Sequence, residues 1–102
     1  MNYSINKKNN TLVLKLYDLD LNLNDLIKNV PFKFDYFILD LLEFNHISDI
    51  IMENFIKFGK ITVSKESFFV ISKLSFNEKF PVIPSVKEAF DLIELEEIQK
   101  QL

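Results

Sequence analysis

The feature that most constrains the fold is a continuous apolar run around a single aspartate, Phe37-Ile38-Leu39-Asp40-Leu41-Leu42. A strand that is apolar on both faces is typical of the centre of a sheet with helices packed on both sides. The chain has 102 residues, of which 48% are hydrophobic. Because that length accommodates one domain and that composition supplies a core, we expect a single domain over residues 1–102.

The segment before this run predicts a β-hairpin. Residues alternate over Tyr3–Lys7 and again over Thr11–Leu16, and the turn-forming residues Lys8-Asn9-Asn10 separate the two stretches. The second strand of this hairpin is expected to bury one face, formed by Leu12, Leu14 and Leu16.

Helices and strands are predicted to alternate after the hairpin. Asn22 is a favourable N-cap for a short helix that ends before Pro31, and Ser48-Asp49 opens a second helix. Gly59, the only glycine, stands where that second helix would need a left-handed C-terminal residue. Lys60–Val63 is therefore predicted as the next strand.

The segment after Val63 fits two patterns. We expect a helix from Ser64 to roughly Leu74, because a helix keeps the order of elements regular, although Phe68–Ile71 also fits a strand. Phe80–Ile83 contains a proline and is predicted as a short edge strand. Ser85-Val86-Lys87-Glu88 is a capping box that opens the last helix. The predicted fold is an α/β domain with a mixed sheet of about four to five strands and flanking helices.

The charge balance argues against several classes of partner. The chain has 12 lysines, no arginine and 15 acidic residues, for a formal net charge of −3. A chain with this charge balance has little electrostatic attraction to a phosphate backbone, so we expect no nucleic-acid partner. The absence of cysteine fits a reducing cytoplasm. The longest stretch without a charged residue, Phe80–Val86, is far shorter than a membrane span, so we expect a soluble, cytoplasmic protein without direct membrane insertion.

Residues with catalytic potential are few, so we expect no catalytic residues and no enzyme. His46 is the only histidine, and a small enzyme would have to pair it with Ser48. No glycines surround it to form an oxyanion hole, and a single glycine excludes the Gly-rich loops that bind nucleotides. Asp18 and Asp20 are interpreted as loop residues, and neither a metal site nor a cofactor is expected.

The apolar residues of the helix after Ser48 are relevant to partner binding. After Ser48, the predicted inward residues are Ile51, Phe55 and Phe58, and the predicted outward ones are Glu53, Asn54 and Lys57. Three further apolar residues lie off the inward stripe: Ile50, Met52 and Ile56. These three form an apolar patch suitable for a partner if they are exposed together, and burial against a large sheet is the alternative.

The last helix carries apolar residues on much of its circumference. Its predicted stripe is Val86, Ala89, Phe90 and Ile93, widened by Leu92, Leu95, Ile98 and Leu102. The charged residues between them are Glu94, Glu96, Glu97 and Lys100. We interpret these charges as a solvated face in preference to an acidic docking strip.

The apolar run that contains Asp40 is followed by the segment Glu43-Phe44-Asn45-His46-Ile47 and then by a helix. This arrangement resembles the STAS domain, which is named for sulfate transporters and anti-sigma-factor antagonists. In that family a hydrophobic strand ending in Asp leads to an Asp-Ser-Ser/Thr-Gly-Leu segment at a helix start. Three later segments are also similar to the family pattern: Gly59–Val63, Phe80–Ser85 and Ser85–Ala89. The resemblance covers residues 1–97 and implies the same element order.

The resemblance implies a switch segment at the start of the helix after Asp40. Counted from Asp40, the phosphorylatable Ser/Thr of the family falls on Asp49 and the glycine of the family on Ile51. No phosphorylation is therefore expected at this position, although an alignment shifted by one residue would place Ser48 there. One interpretation is that Asp49 or Ser48 only caps the helix. The other is that Asp49 partly mimics a phosphate, with one charge against about −1.5 to −2.

The resemblance also implies a function without chemistry. We expect a STAS-like protein-interaction module of the anti-sigma-factor antagonist type, and the implied partner is an anti-sigma factor with a kinase fold. The expected partner-binding residues are Ser48, Asp49, Ile50, Met52 and Ile56. An accessory STAS subunit of a membrane or lipid transport complex is the alternative within this fold. A small enzyme that uses His46 and Ser48 is the distant alternative.

Overall fold

The hairpin predicted at the start of the chain is present. The structure is a computed structural model, and it describes residues 2–62, 67–73 and 82–101. Strand β1 (Tyr3–Lys8) pairs antiparallel with β2 (Thr11–Leu16), with Ile5 opposite Leu14. Asn9 makes the turn with a φ of 55°, in the left-handed region that asparagine tolerates well. The alternation in the sequence is therefore confirmed as a hairpin.

The predicted central strand is β3 (Tyr36–Asp40), and all of its residues are buried. It lies parallel to β2 on one side and to β4 (Phe68–Ile71) on the other. A short strand, β5 (Val82–Ile83), pairs parallel with β4. Within the described ranges these strands form one five-stranded mixed sheet in the order β1-β2-β3-β4-β5. The α/β fold class is thus confirmed.

The described part of the chain contains three helices, and they cover both faces of the sheet. They are α1 (Leu23–Lys28), α2 (Asp49–Thr62) and α3 (Val86–Lys100). Helices α1 and α2 pack on the face that includes Phe37 and Leu39, whereas α3 packs on the face that includes Tyr36 and Ile38. Because successive side chains of a strand point to opposite faces, β3 contributes to both cores.

The predicted caps of α1 and α3 are present. The Asn22 side chain accepts a hydrogen bond from the Asp25 backbone N–H at 3.2 Å, and the Ser85 hydroxyl accepts one from the Glu88 N–H at 3.2 Å. Each bond satisfies an amide that has no partner within its own helix. Helix α1 ends at Lys28, before Pro31, as predicted.

The helix predicted from Ser64 to Leu74 is wrong over Phe68–Ile71, which forms strand β4 between β3 and β5. The four residues are all buried, and they include the β-branched Val70 and Ile71. A short apolar run fits either a helix or a buried strand, and the available partner strand decides between them. Val63–Glu66 and Leu74–Pro81 lie outside the described residues.

The strand predicted at Lys60–Val63 is also wrong, because α2 continues to Thr62. Gly59 lies inside the helix and has no positive φ, so it is not the left-handed terminus that the sequence predicted. The ring of Phe68 occupies the space that a Cβ of Gly59 would need. Glycine is required here by a close approach between helix and strand, not by the end of the helix.

Helix α3 is fixed to the sheet by a buried tyrosine at the start of β3. The Tyr36 hydroxyl donates to Glu97 Oε1 at 2.7 Å and accepts from Lys100 Nζ at 2.9 Å. The Lys100 ammonium also lies 5.1 Å from the Tyr36 ring centroid. The interpretation of Glu97 as part of a solvated face is therefore corrected, because Glu97 is half-buried and binds the buried hydroxyl, whereas Lys100 is exposed as predicted while it binds the same group.

Replacing Tyr36 by Phe is expected to lower the free energy of unfolding by about 1–2 kcal/mol at neutral pH, since two hydrogen bonds are lost. Burial raises the pKa of the Tyr36 hydroxyl; the Lys100 ammonium lowers it, and Glu97 raises it. A tyrosine whose pKa is raised on folding makes its full contribution to stability at pH values below the pKa of the unfolded chain, about 10. This contribution is lost as the pH rises through the pKa of the folded protein.

Two measurements check this prediction. Urea unfolding of the wild type and Tyr36→Phe at neutral and alkaline pH should show a stability difference that shrinks above about pH 10. The difference between the tyrosinate absorbance titrations of the two proteins reports the Tyr36 hydroxyl alone. A Tyr36 midpoint at or below that of the same chain unfolded in urea would contradict the buried bridge.

Candidate functional site

The carboxyl ends of the parallel strands form the edge of the sheet from which α2 starts. In α/β sheets this edge is where functional loops gather. Asp40 ends β3 there, and its Oδ1 accepts the Leu42 N–H at 3.0 Å. The Leu41 N–H donates to the Ile71 carbonyl at 2.8 Å. Asp40 therefore directs the chain out of the sheet toward α2.

Two lysines, one within β2 and one two residues after the end of β4, hold the loop between β3 and α2. Lys15 Nζ lies 3.2 Å from Glu43 Oε1, and Lys73 Nζ donates to Asn45 Oδ1 at 2.8 Å. The hydrogen bond to Glu43 raises the pKa of Lys15, although desolvation acts in the opposite direction. These pairs join residues that are distant in sequence, so no local pattern could have revealed them.

Helix α2 begins with a capping serine followed by an aspartate. The Ser48 hydroxyl accepts from the Ile51 N–H at 3.3 Å, and the Ser48 carbonyl accepts from the Met52 N–H at 3.0 Å. Ser48 is therefore the cap, and Asp49 is the first residue of the helix. A carboxylate at this position interacts favourably with the helix dipole without itself making the cap.

The structure brings three of the predicted partner-binding residues together on the first turn of α2. Ser48, Asp49 and Ile50 are all exposed, and the Ile50 side chain is 71% exposed. Ile47, immediately before them, is buried and anchors the turn against the core. The first turn thus presents a hydroxyl, a carboxylate and a large aliphatic side chain on a fixed support.

The other two predicted partner-binding residues do not belong to this surface. Met52 is only 2% exposed and lies in the core, so its assignment to the binding patch is wrong. Ile56 is half-buried and packs against the same core. The helix is rotated relative to the prediction: Met52, Phe55 and Phe58 face the sheet, whereas Ile51, predicted to be inward, is half-buried. Side chains three and four residues apart share a face, so a small rotation exchanges Ile51 for Met52.

Of the residues considered for chemistry, Ser48 and Asp18 accept hydrogen bonds from nearby backbone amides. His46 is exposed, and the hydroxyl oxygen of its neighbour Ser48 accepts from the backbone of α2. Asp18 Oδ1 accepts from the Asp20 N–H at 2.9 Å, which closes a local turn. Among residues 2–62, 67–73 and 82–101, no group of three acidic or histidine side chains is placed to hold a metal ion.

One surface was missed by the sequence reasoning. The prediction that Leu92, Leu95 and Ile98 widen the buried stripe of α3 is wrong, because they are 43%, 55% and 49% exposed. The signal was present in their spacing, since residues at i, i+3 and i+6 share one side of a helix. The buried contacts of α3 with the sheet are made instead by Ala89 and Ile93. Leu102 lies outside the described residues.

Comparisons with known proteins add no assignment. None of the described helices combines the length and apolar character needed to cross a membrane. Searches against family models, curated proteins and solved structures gave no match to this chain.

Proposed function

We propose that this chain is a STAS-like protein-interaction module that docks to a regulatory protein through the first turn of α2. The proposal rests on the resemblance in the sequence together with the placement of Ser48, Asp49 and Ile50 at the carboxyl edge of the parallel strands. The resemblance puts the contact with the partner at this same segment. A docking function needs no catalytic group, and the Ser48 hydroxyl and the Asp18 carboxylate both accept hydrogen bonds from backbone amides.

The observation that carries the proposal is the exposure of Ile50. Its side chain is 71% exposed on the first turn of a helix whose cap requires only Ser48. A large aliphatic side chain at this position does not stabilise the helix start, because it neither caps nor packs. Buried by a partner, it would contribute about 1.5–3 kcal/mol to binding.

The partner class that the resemblance implies is an anti-sigma factor with a kinase fold. Asp49 stands at the position that such a kinase phosphorylates in the family, and an aspartate has no hydroxyl to accept a phosphoryl group. A carboxylate supplies part of the charge of a phosphate, about −1.5 to −2, and two of its three oxygens. We therefore interpret Asp49 as a fixed negative charge that favours the docked state without a switch.

The test begins with the partner isolated by affinity purification from the native host and identified by mass spectrometry. We expect Ile50→Asp to weaken binding of that purified partner at least tenfold by titration calorimetry, since about 1.4 kcal/mol corresponds to tenfold. Lys57→Asp, at another exposed position of α2, is the matched control and should bind nearly as the wild type does. Equal losses for both variants, or none for Ile50→Asp, would contradict the proposed surface.

Asp49→Ser separates the two interpretations of the carboxylate. The variant should fold with a stability within about 0.5 kcal/mol of the wild type, because the position is exposed and Ser48 supplies the cap. With the purified kinase-fold partner and ATP, we expect phosphate on the introduced serine of this variant and none on the wild type. Phosphate on Ser48 of the wild type would contradict the alignment. Equal partner affinity for both unphosphorylated proteins would leave Asp49 with no role in docking.

A further inference from the structure

Helix α3 carries an exposed apolar line that the fold does not use. Leu92, Leu95 and Ile98 are 43%, 55% and 49% exposed, and they follow one another at intervals of three residues. Side chains at this spacing are neighbours on the helix surface, so the three form one continuous stripe about 9 Å long. We name it the α3 stripe. It lies on the sheet face opposite to α2, so it is separate from the exposed first turn of α2 that carries Ile50.

The α3 stripe cannot be hidden by a rotation of its helix. Ala89 and Ile93 of the same helix are 0% and 5% exposed against the sheet. Glu97 and Lys100 hold the last turns through the Tyr36 hydroxyl at 2.7 and 2.9 Å. Turning the stripe inward would break both sets of contacts. The outward position of the stripe is therefore fixed by the fold.

The surroundings of the α3 stripe are acidic. Glu94 lies on one side of it and Glu96 on the other, and Glu88 and Asp91 stand along its first turns. The two lysines of α3 do not offset these charges fully. Lys87 pairs with Asp91 at 3.6 Å, and Lys100 binds Tyr36. Carboxylates on both sides of an apolar line favour an occupant that is apolar in the middle and positive at its edges.

We propose that the α3 stripe binds a basic amphipathic helix of a partner protein. A second copy of this chain is a poorer occupant, because two-fold antiparallel pairing centred on Leu95 would place Glu94 of one copy near Glu94 of the other, and Glu96 near Glu96. An anionic membrane surface is disfavoured because it repels the same carboxylates. A helix with leucines along one side and lysines beside them satisfies both the apolar and the charged parts of the surface.

The probe is a synthetic peptide of about 15 residues with leucines at helical spacing and lysines at the other positions. A matched peptide carries glutamate in place of every lysine. The protein variants are Leu95→Gln, Glu94→Gln combined with Glu96→Gln, and Ile50→Gln as the control on α2. Glutamine is a good helix former, so the folded state should be retained, which circular dichroism checks.

We expect the basic peptide to bind the wild type and Ile50→Gln alike. Leu95→Gln should weaken that binding about tenfold through lost apolar contact. The paired Glu→Gln variant should weaken it and reduce its dependence on salt between about 50 and 500 mM. Equal binding of the acidic peptide, or undiminished binding by Leu95→Gln, would overturn the proposal. So would a wild-type dimer that Leu95→Gln dissociates in analytical ultracentrifugation, or binding to anionic vesicles that Leu95→Gln abolishes.

Discussion

Phe37→Ala is expected to lower the free energy of unfolding by about 3–5 kcal/mol, as large-to-small changes of a buried phenylalanine do. Phe37 is 0% exposed in the central strand. Its ring lies 5.9 Å from that of Phe34, 5.7 Å from that of Phe58 and 5.5 Å from that of Phe68, measured between centroids. Truncation removes all three ring contacts and leaves a cavity where α2 meets the sheet.

Urea unfolding measures this effect, and Phe44→Ala is the matched control. Phe44 is half-buried at the border of the same core, so the same truncation should cost no more than about half as much. Domains of this kind have a free energy of unfolding of about 5–15 kcal/mol, so the loss expected for Phe37→Ala is a large part of the total. Equal losses at the two positions would show that Phe37 is not the centre of the core.

Gly59→Ala should destabilise the protein by about 1–3 kcal/mol, the usual cost of overpacking a core. In an ordinary helix interior the same change is stabilising by about 0.5–1 kcal/mol, so the sign of the effect is diagnostic. The added Cβ would meet the Phe68 ring. That ring is 1% exposed and lies between the rings of Phe37 and Phe58, at 5.5 and 6.3 Å, so it has no space to retreat.

A double-mutant cycle isolates this contact. Asn54→Ala, at an exposed position of α2, controls for helix propensity and should change stability by less than about 0.5 kcal/mol. In a Phe68→Leu background the smaller side chain makes room, so Gly59→Ala should cost less there than in the wild type. A stabilising Gly59→Ala in the wild-type background would refute the close packing of α2 on β4.

Local patterns predicted the elements whose signal lies within a few residues. The alternation of the first hairpin, the doubly apolar run of β3 and the caps Asn22 and Ser85 each correspond to a structural feature. In each case the residues that carry the signal also make the decisive contact. Binary patterning and capping are interactions between neighbours in sequence, so they can be recognised without the fold.

The misassigned segments depend on contacts that cross the chain. Gly59 resembles a helix terminus by its position, but its partner is the ring of Phe68. Phe68–Ile71 becomes a strand because β3 lies beside it, with Leu39 opposite Val70. Neither fact is encoded in a local window, because tertiary context overrides propensity in short apolar segments.

The candidate site was predicted only in part for a related reason. The sequence placed Ser48, Asp49 and Ile50 at a helix start, and the structure exposes all three. It could not fix the rotation of α2, so Met52 was assigned to the surface although it is buried. The lysines that hold the preceding loop come from distant parts of the chain: Lys15 lies in β2, and Lys73 follows β4.

The most direct test of the proposed docking function is hydrogen–deuterium exchange of this chain, alone and saturated with the partner purified from the native host. We predict slower exchange over residues 45–52, where the loop enters α2, and unchanged exchange at the hairpin turn of Asn9 and Asn10. Protection confined to residues 88–98 would contradict docking through α2 and point to the α3 stripe alone. Unchanged exchange over residues 45–52 in the saturated complex would refute the central claim.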